Sequence, residues 1–315
     1  MSTRDEGAVG DNDQAGNRTR LCVIIVSWNV SDDLRVCLES VYAGNGGDFE
    51  VWVVDNASSD GTVEMLRERF PQVRLIANTA NRGFAAANNQ ALADADADYF
   101  LLLNPDTIVP EGAFDTLLRF ADAHPEAGVI GPKLLNRDGS LQYSARRFPT
   151  FAAAVYRNTP FGKLFPGARA PQDYLMVDWD HNDARAVDWV SGACMLIRRE
   201  ALAEVGLLDE EFYWGSEDVD YCFRMRHAGR GVLYTPEPAI IHAIGSSTSQ
   251  VVIRTIIRTH RSMHRLYSKH LARNPLSRGL IWLGIWSRAG LLIVEHSGAW
   301  VWTQLKSVVR RLRRR

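Results

Sequence analysis

An α/β fold, with a mostly parallel sheet covered by helices on both faces, is the class this 315-residue sequence predicts. Three observations predict it. Apolar runs of strand length alternate with segments of helical period from Leu21 to His124. The strand runs lack the polar alternation of a half-exposed sheet, which is the mark of strands buried on both faces. An apolar content of 46% with ordinary charge supports a sizeable core in one large domain or two modest ones.

The elements follow in order. Residues 1–20, MSTRDEGAVGDNDQAGNRTR, are polar, nearly free of large apolar groups and without a signal-peptide core, so they are expected to form a disordered leader and export is not expected. LCVIIVSW then reads as a strand, and SDDLRVCLESVYA as a helix with Ser31 at the N-cap and Leu34, Leu38 and Val41 at helical spacing. The same alternation recurs in FEVWVVDN with SSDGTVEMLRERF, VRLIAN with GFAAANNQALADA, and YFLLLNPD with PEGAFDTLLRFADAHP, where Pro110 is placed in the first turn. No repeat of fixed period and no low-complexity linker interrupts the series. Cys22, Cys37, Cys194 and Cys222 lie in apolar runs without metal-like spacing, as expected of reduced, buried thiols in a cytosolic protein.

In an open parallel sheet, ligands collect beyond the carboxyl ends of the strands. The polar residues of this sequence fall there: Ser27, Trp28 and Asn29 after the first strand, Asp55 and Asn56 after the second, and Asn104, Pro105 and Asp106 after the fourth. Any one acid reads equally well as a helix cap. Three polar strand ends together favour a binding site.

The motifs VIIVSWN, VVDNASSDGT, NRGFAAANN, LLLNPDT, WVSGACMLIRREALAEVGLLDEEFYWGSEDVDYCFRMRHAG and IIHAIGSS, in this order, resemble the family 2 glycosyltransferases of GT-A (Rossmann-like) fold, in particular the bacterial rhamnosyltransferase-like members. The resemblance covers most of residues 21–249, which it marks as the catalytic domain. It implies an inverting glycosyltransferase that binds a nucleotide-sugar donor. Asp55 matches the aspartate that accepts the base ring N–H, which uracil and thymine possess and neutral adenine lacks, so a UDP- or dTDP-sugar is implied. Ser27 and Asn29 are placed to contact base or ribose, Arg82 to approach base or phosphates, and Gly83 to allow close backbone contact. Arg82 reads otherwise as a solvated surface arginine.

Where the family usually carries an acidic DxD motif, this chain has Asn104-Pro105-Asp106. One anionic ligand is thereby replaced by a neutral amide, although Asp106 with donor phosphates and water satisfies a hard cation. His242 matches the late histidine that completes the metal site. The implied cofactor is Mn²⁺ or Mg²⁺, with the imidazole favouring Mn²⁺. A lone histidine after an apolar strand is otherwise a core residue.

Asp218 is implied as the base that takes the acceptor proton, with Glu217 as the alternative or as a ligand of acceptor hydroxyls. Asp220, two positions on, faces another side of the helix and reads as structural. The competing view is that all three acids only stabilise the helix dipole, by about 0.3–1 kcal/mol each. Trp189, Gly192 and Trp214 are expected beside the sugar or acceptor pocket, the tryptophans stacking on sugar faces or simply packing in the core.

Residues 250–315 form an expected C-terminal helical extension, amphipathic and basic. Arg288, Glu295 and His296 break its apolar run below the ~20 residues of a conventional membrane span. Leu280, Leu283, Leu291, Val294, Val301, Leu305, Val308 and Leu312 share a face that suits a membrane interface, or alternatively the catalytic domain or a second subunit in a homo-oligomer. The expected function is transfer of a sugar, rhamnose from dTDP-rhamnose first among donors, to a glycan or polyprenyl-linked acceptor in cell-surface polysaccharide assembly, at the inner face of the cell membrane. Nucleic acid is not an expected partner. A nucleotidyltransferase is disfavoured because VIIVSWNVSDD lacks a Gly-rich, basic phosphate loop. A non-catalytic sugar-nucleotide or glycan-binding protein on the same fold is the remaining alternative.

Overall fold

The computed structural model describes residues 18–150, 169–243, 252–272 and 274–312, and for residues 297–312 the backbone alone. The expected leader lies outside these residues except at its end: Thr19 already opens the first strand. In chain order the elements begin β1 (Thr19–Ser27), α1 (Ser31–Gly44), β2 (Phe49–Asp55), α2 (Thr62–Arg69), β3 (Arg74–Ala77), α3 (Phe84–Asp94) and β4 (Ala97–Leu103). There follow β5 (Thr107–Ile108), α4 (Ala113–Ala123), β6 (Ala127–Leu135), β7 (Leu141–Gln142), β8 (Ala145–Arg146) and α5 (Arg169–Leu175). The chain continues with β9 (Arg185–Ala186), β10 (Trp189–Val190), β11 (Cys194–Arg198), α6 (Arg199–Val205), α7 (Glu217–His227), β12 (Gly231–His242), α8 (Val252–His270) and α9 (Pro275–Leu312).

The main sheet has the order β3-β2-β1-β4-β11-β6-β12-β5. β1 to β4 are mutually parallel, β12 runs parallel to β6, and β11 lies antiparallel between β4 and β6. Successive side chains on a strand point to opposite faces. Cys22, Ile24, Trp52, Val54, Phe100 and Leu102 therefore enter one core. Leu21, Val23, Ile25, Val51, Val53 and Leu101 enter a second core on the other side. β1, β2 and β4 thus read as continuous apolar runs, because both of their faces are dry.

Two helix starts differ from the sequence-based expectation. Ser31 is the first residue of α1 rather than its cap, and its N–H donates to Asp60 Oδ2 at 2.9 Å. Pro110 precedes α4, which starts only after Gly112 in the left-handed region at φ 68°. All four cysteines are free and buried, and burial pushes the Cys37 thiol up to about 12.

The tail is partly docked. α8 packs on α7 through ion pairs, and Tyr267 of α8 packs with Ile281 and Ile285 of α9. The opposite side of α9 exposes Leu276, Leu280, Leu283, Leu291 and Val294. Among the described residues, no helix is long and apolar enough to cross a membrane.

Candidate active site

At the carboxyl ends of β1, β2 and β4 the chain must turn away from the sheet, and the loops there enclose a cleft of about 300 Å³. Its walls carry Ser27, Gly83, Asn104, Asp106, Gly192, Trp214, Glu217, Asp218 and His242, nine of the residues singled out in the sequence. Ser27 pairs with Asp55 in the parallel register of β1 and β2, so the two lie side by side at the carboxyl ends of these strands, Ser27 lining the cleft and Asp55 next to it. Asp55 Oδ2 accepts the Ser58 N–H at 2.9 Å. Its Oδ1 and the Ser27 hydroxyl, both buried, have no hydrogen-bond partner among the described residues. A buried polar atom left so is costly, by about 1–3 kcal/mol, and calls for a ligand or water.

Asn56, which the sequence marked only as a polar strand end, organises the adjoining loop. Its Nδ2 donates to the Gly83 carbonyl at 3.2 Å, and its Oδ1 accepts the Arg82 N–H at 3.3 Å. Gly83 is required where it stands: φ is 88°, and a Cβ would meet the Tyr213 carbonyl oxygen at 2.8 Å. The close backbone approach at Gly83 is to Tyr213 of the protein's own chain, and Gly83 also lines the cleft.

Four expected site residues, Asp55 described above and three others, lie outside the cleft lining. Asn29 is a staple between two loops, its Oδ1 accepting the Ser59 N–H at 2.7 Å and its N–H donating to Ser58 Oγ at 2.8 Å. Arg82 is exposed at the rim, as in the surface reading of it. Trp189 is 5% exposed, donates its indole N–H to the Arg147 carbonyl at 2.9 Å and lies under the Arg146 guanidinium. Its ring is core, because both its apolar surface and its one donor are already matched.

On the opposite wall, Asp106 Oδ1 stands 3.2 Å from His242 Nε2. The long strand β12 delivers the histidine, pairing His242 with Thr107 of β5. Gln142, unmarked in the sequence, decides its tautomer. The Gln142 amide nitrogen donates to the His242 carbonyl at 2.6 Å and to Asn136 Oδ1 at 2.8 Å, so its oxygen faces His242 Nδ1 at 2.9 Å. Nδ1 therefore carries a proton, and Nε2 faces the Asp106 carboxylate and stands 3.1 Å from the Asn104 amide. A carboxylate and an imidazole nitrogen facing each other fit a divalent cation. No group of three His, Cys, Asp or Glu side chains suited to a metal gathers among the described residues, so diphosphate oxygens and water would complete the shell.

The acid pair enters on a sharp turn. Gly215 and Ser216 are both left-handed at φ 74°, which aims the first turn of α7 into the cleft. Asp218 accepts the Gly192 N–H at 3.1 Å and the Val219 N–H at 2.8 Å. Burial raises its carboxyl above the usual range against the pull of these N–H groups. Glu217 Oε2 is buried without a partner among the described residues, and burial together with the Asp218 charge pushes its carboxyl up to about 8. Two backbone donors favour the charge on Asp218, so Glu217 is the protonated member at neutral pH.

A family model described as glycosyl transferase family 2 matches residues 22–206, which ends before Asp218 and His242. The chain is 31% identical over 255 residues to the N-acetylglucosaminyl-diphospho-decaprenol L-rhamnosyltransferase of Mycobacterium tuberculosis, across 78% of this chain and 82% of that one. It is 27% identical over 230 residues to rhamnosyltransferase WbbL of Escherichia coli K12, across 70% and 82%. Among solved structures, a mannosyltransferase from Pyrobaculum calidifontis in complex with GDP-Man and Mn²⁺ superposes with a TM-score of 0.55 at 18% identity, covering 90% and 76%. GalNAc-T7 with UDP, GalNAc and Mn²⁺ gives 0.57 at 17%, covering 83% and 53%. These two likenesses show the fold, GT-A.

Proposed function

We propose, for a chain that belongs to glycosyl transferase family 2 and is a glycosyltransferase, that it inverts the anomeric centre of rhamnose taken from dTDP-rhamnose, or of the sugar of a UDP donor. The observation that carries this reading is a single cleft lined by Ser27 and the Asp218 carboxylate, with Asp55 beside Ser27 and both Ser27 Oγ and Asp55 Oδ1 unpartnered among the described residues. Asp55 Oδ1 accepts the ring N–H of a pyrimidine base. Asp218 takes the proton of the acceptor hydroxyl as that oxygen bonds to the anomeric carbon; the bond to the diphosphate oxygen breaks on the far side, and the nucleoside diphosphate leaves. Glu217, protonated, donates to an acceptor hydroxyl, and Trp214 offers its ring to a sugar face. Asp106 and His242 would hold Mn²⁺ or Mg²⁺, which when bound neutralises the diphosphate charge.

The acceptor in this reading is a polyprenyl diphosphate sugar in cell-surface polysaccharide assembly. The printed name of the Mycobacterium tuberculosis relative supports it, and so does the tail. Residues 250–315 hold fourteen Lys and Arg against one Glu, and α9 leaves an apolar face uncovered. Such a helix lies on an anionic membrane, here the inner face of the cell membrane.

Calorimetric titration with UDP, dTDP, GDP and ADP, each with Mn²⁺ and then with chelator, tests the site. A metal-dependent pyrimidine preference is expected; equal binding of ADP would remove Asp55 from its role, and indifference to metal would remove Asp106 and His242. Flotation with anionic liposomes tests the tail. Leu280→Asp with Leu283→Asp is expected to leave the protein unbound, whereas retained binding, or a change of oligomeric state in its place, would refute the membrane face.

A further inference from the structure

The catalytic helix has a second working side. Residues 218 and 220 stand about 200° apart around a helix, so α7, 11 residues long, presents Asp218 to the cleft and Asp220 away from it. Asp220 is fully buried. Its Oδ2 accepts from Arg224 Nε at 3.0 Å, and its Oδ1 accepts from Lys269 Nζ at 2.8 Å and His270 Nε2 at 2.7 Å. Burial opposes the charge, yet His270, Lys269 and Arg224 outweigh it and hold the carboxyl down at about 2. The His270 ring lies flat on Phe223 with centroids 4.3 Å apart.

The loop entering α7 is gripped from the same side. Asp209 Oδ2 accepts from Arg265 Nη2 at 2.9 Å and from Lys269 Nζ at 2.8 Å. One ammonium thus joins both ends of the stretch 209–220 that contains Trp214, Glu217 and Asp218. Within that stretch, the Arg258 guanidinium sits 3.9 Å above the Tyr213 ring, and the Tyr213 hydroxyl donates to Asn81 Oδ1 at 3.0 Å, in the loop that carries Gly83. The loop is therefore sandwiched between α8 and the donor end of the cleft.

We propose that Lys269 and His270 are positioning residues: through Asp209 and Asp220, α8 sets where Trp214 and Asp218 stand, so the tail is part of the acceptor side of the active site. The inference rests on the proposed role of Asp218. Displacing a base by ~1 Å costs about 10²-fold in rate while leaving remote binding intact.

The test uses the full chain carrying Lys269→Gln with His270→Asn, beside Lys269→Arg alone and His270→Phe, which keeps a ring on Phe223. The expected result for the double variant is a fall in kcat of about 10- to 100-fold with donor KM and dTDP affinity within twofold. Lys269→Arg is expected to retain most of the rate. Amide hydrogen exchange over residues 217–219 is expected to quicken at least tenfold in both the double variant and His270→Phe, with β1 and β4 unchanged. Unchanged exchange in folded protein overturns the proposal whatever the activity, and so does a loss of dTDP binding in step with kcat. Wild-type protein that transfers no sugar from any donor would instead defeat the functional reading, and the exchange experiment would still decide the clamp.

Discussion

The two ends of the parallel strands both carry acids, with opposite consequences. At the amino end, Asp96 and Asp98 at the start of β4 meet Arg18, Arg20 and Arg199, and Asp122 accepts from Arg20 and from the Tyr99 hydroxyl. Arg198 donates to the Ala121 and Ala127 carbonyls and to the Tyr99 hydroxyl. At the carboxyl end, Ser27 Oγ, Asp55 Oδ1 and Glu217 Oε2 are buried without partners among the described residues. Acid content alone does not distinguish the ends; satisfaction does. A paired acid closes and rigidifies a sheet edge, whereas an unpaired buried one is tolerated where a ligand completes it.

The largest effect that would sharpen this contrast is at Asp218. Asp218→Asn should cut transfer by about 10²–10⁴-fold and leave dTDP affinity within twofold; undiminished transfer in a steady-state assay would break the assignment. Next comes Asp55→Ala, expected to weaken dTDP binding by about 1–3 kcal/mol and to erase the preference over ADP in calorimetry. A uniform loss across all nucleotides would show a structural role like that of the amino-end acids.

A pH series on Glu217→Gln separates the ends in another way. The Glu217 carboxyl is raised in the folded chain, so ionising it costs stability; the cost is absent below the unfolded value near 4.3 and complete once pH passes about 8. The variant should match wild type at low pH and exceed its Tm by at least about 2 °C at pH 8. A constant difference across the series would place the charge outside the cleft. The smallest effect is expected at Asp96→Asn, whose exposed ion pairs are worth about 0–1 kcal/mol, with kcat unchanged. A large loss of activity there would dissolve the comparison.

Much of the cleft was legible because strand ends are local features. An apolar run that stops in Asn104-Pro105-Asp106 announces both a buried strand and a polar turn, and nine of the residues chosen on that logic or by family likeness line one cavity. The expected residues that do not line the cavity were less legible. Asn29 and Trp189 carry suitable chemistry, but Ser58 and Ser59 engage the one, and the Arg147 carbonyl and Arg146 engage the other. Gln142 lies 100 residues from the histidine whose tautomer it sets, and no short pattern marks such a partner. The reading of Asp220 as structural agrees with its contacts, although its α8 partners, about 50 residues away, were invisible.

The sequence by itself determined that the sheet is buried on both faces, that polar residues stand at the carboxyl ends of its strands, and that the chain joins a family of sugar transferases. Hydrophobic period and strand-end chemistry are properties of neighbours along the chain, and burial follows from them. Only the tertiary structure decided which of those polar groups stay unsatisfied, that Trp189 is core while Trp214 faces the cleft, and that α8 grips the helix bearing Asp218. Hydrogen-bond satisfaction and ion pairing depend on atoms that only folding brings within about 3 Å. Until the chain closes, an aspartate that will line the cleft and one that will enter a salt bridge are the same residue.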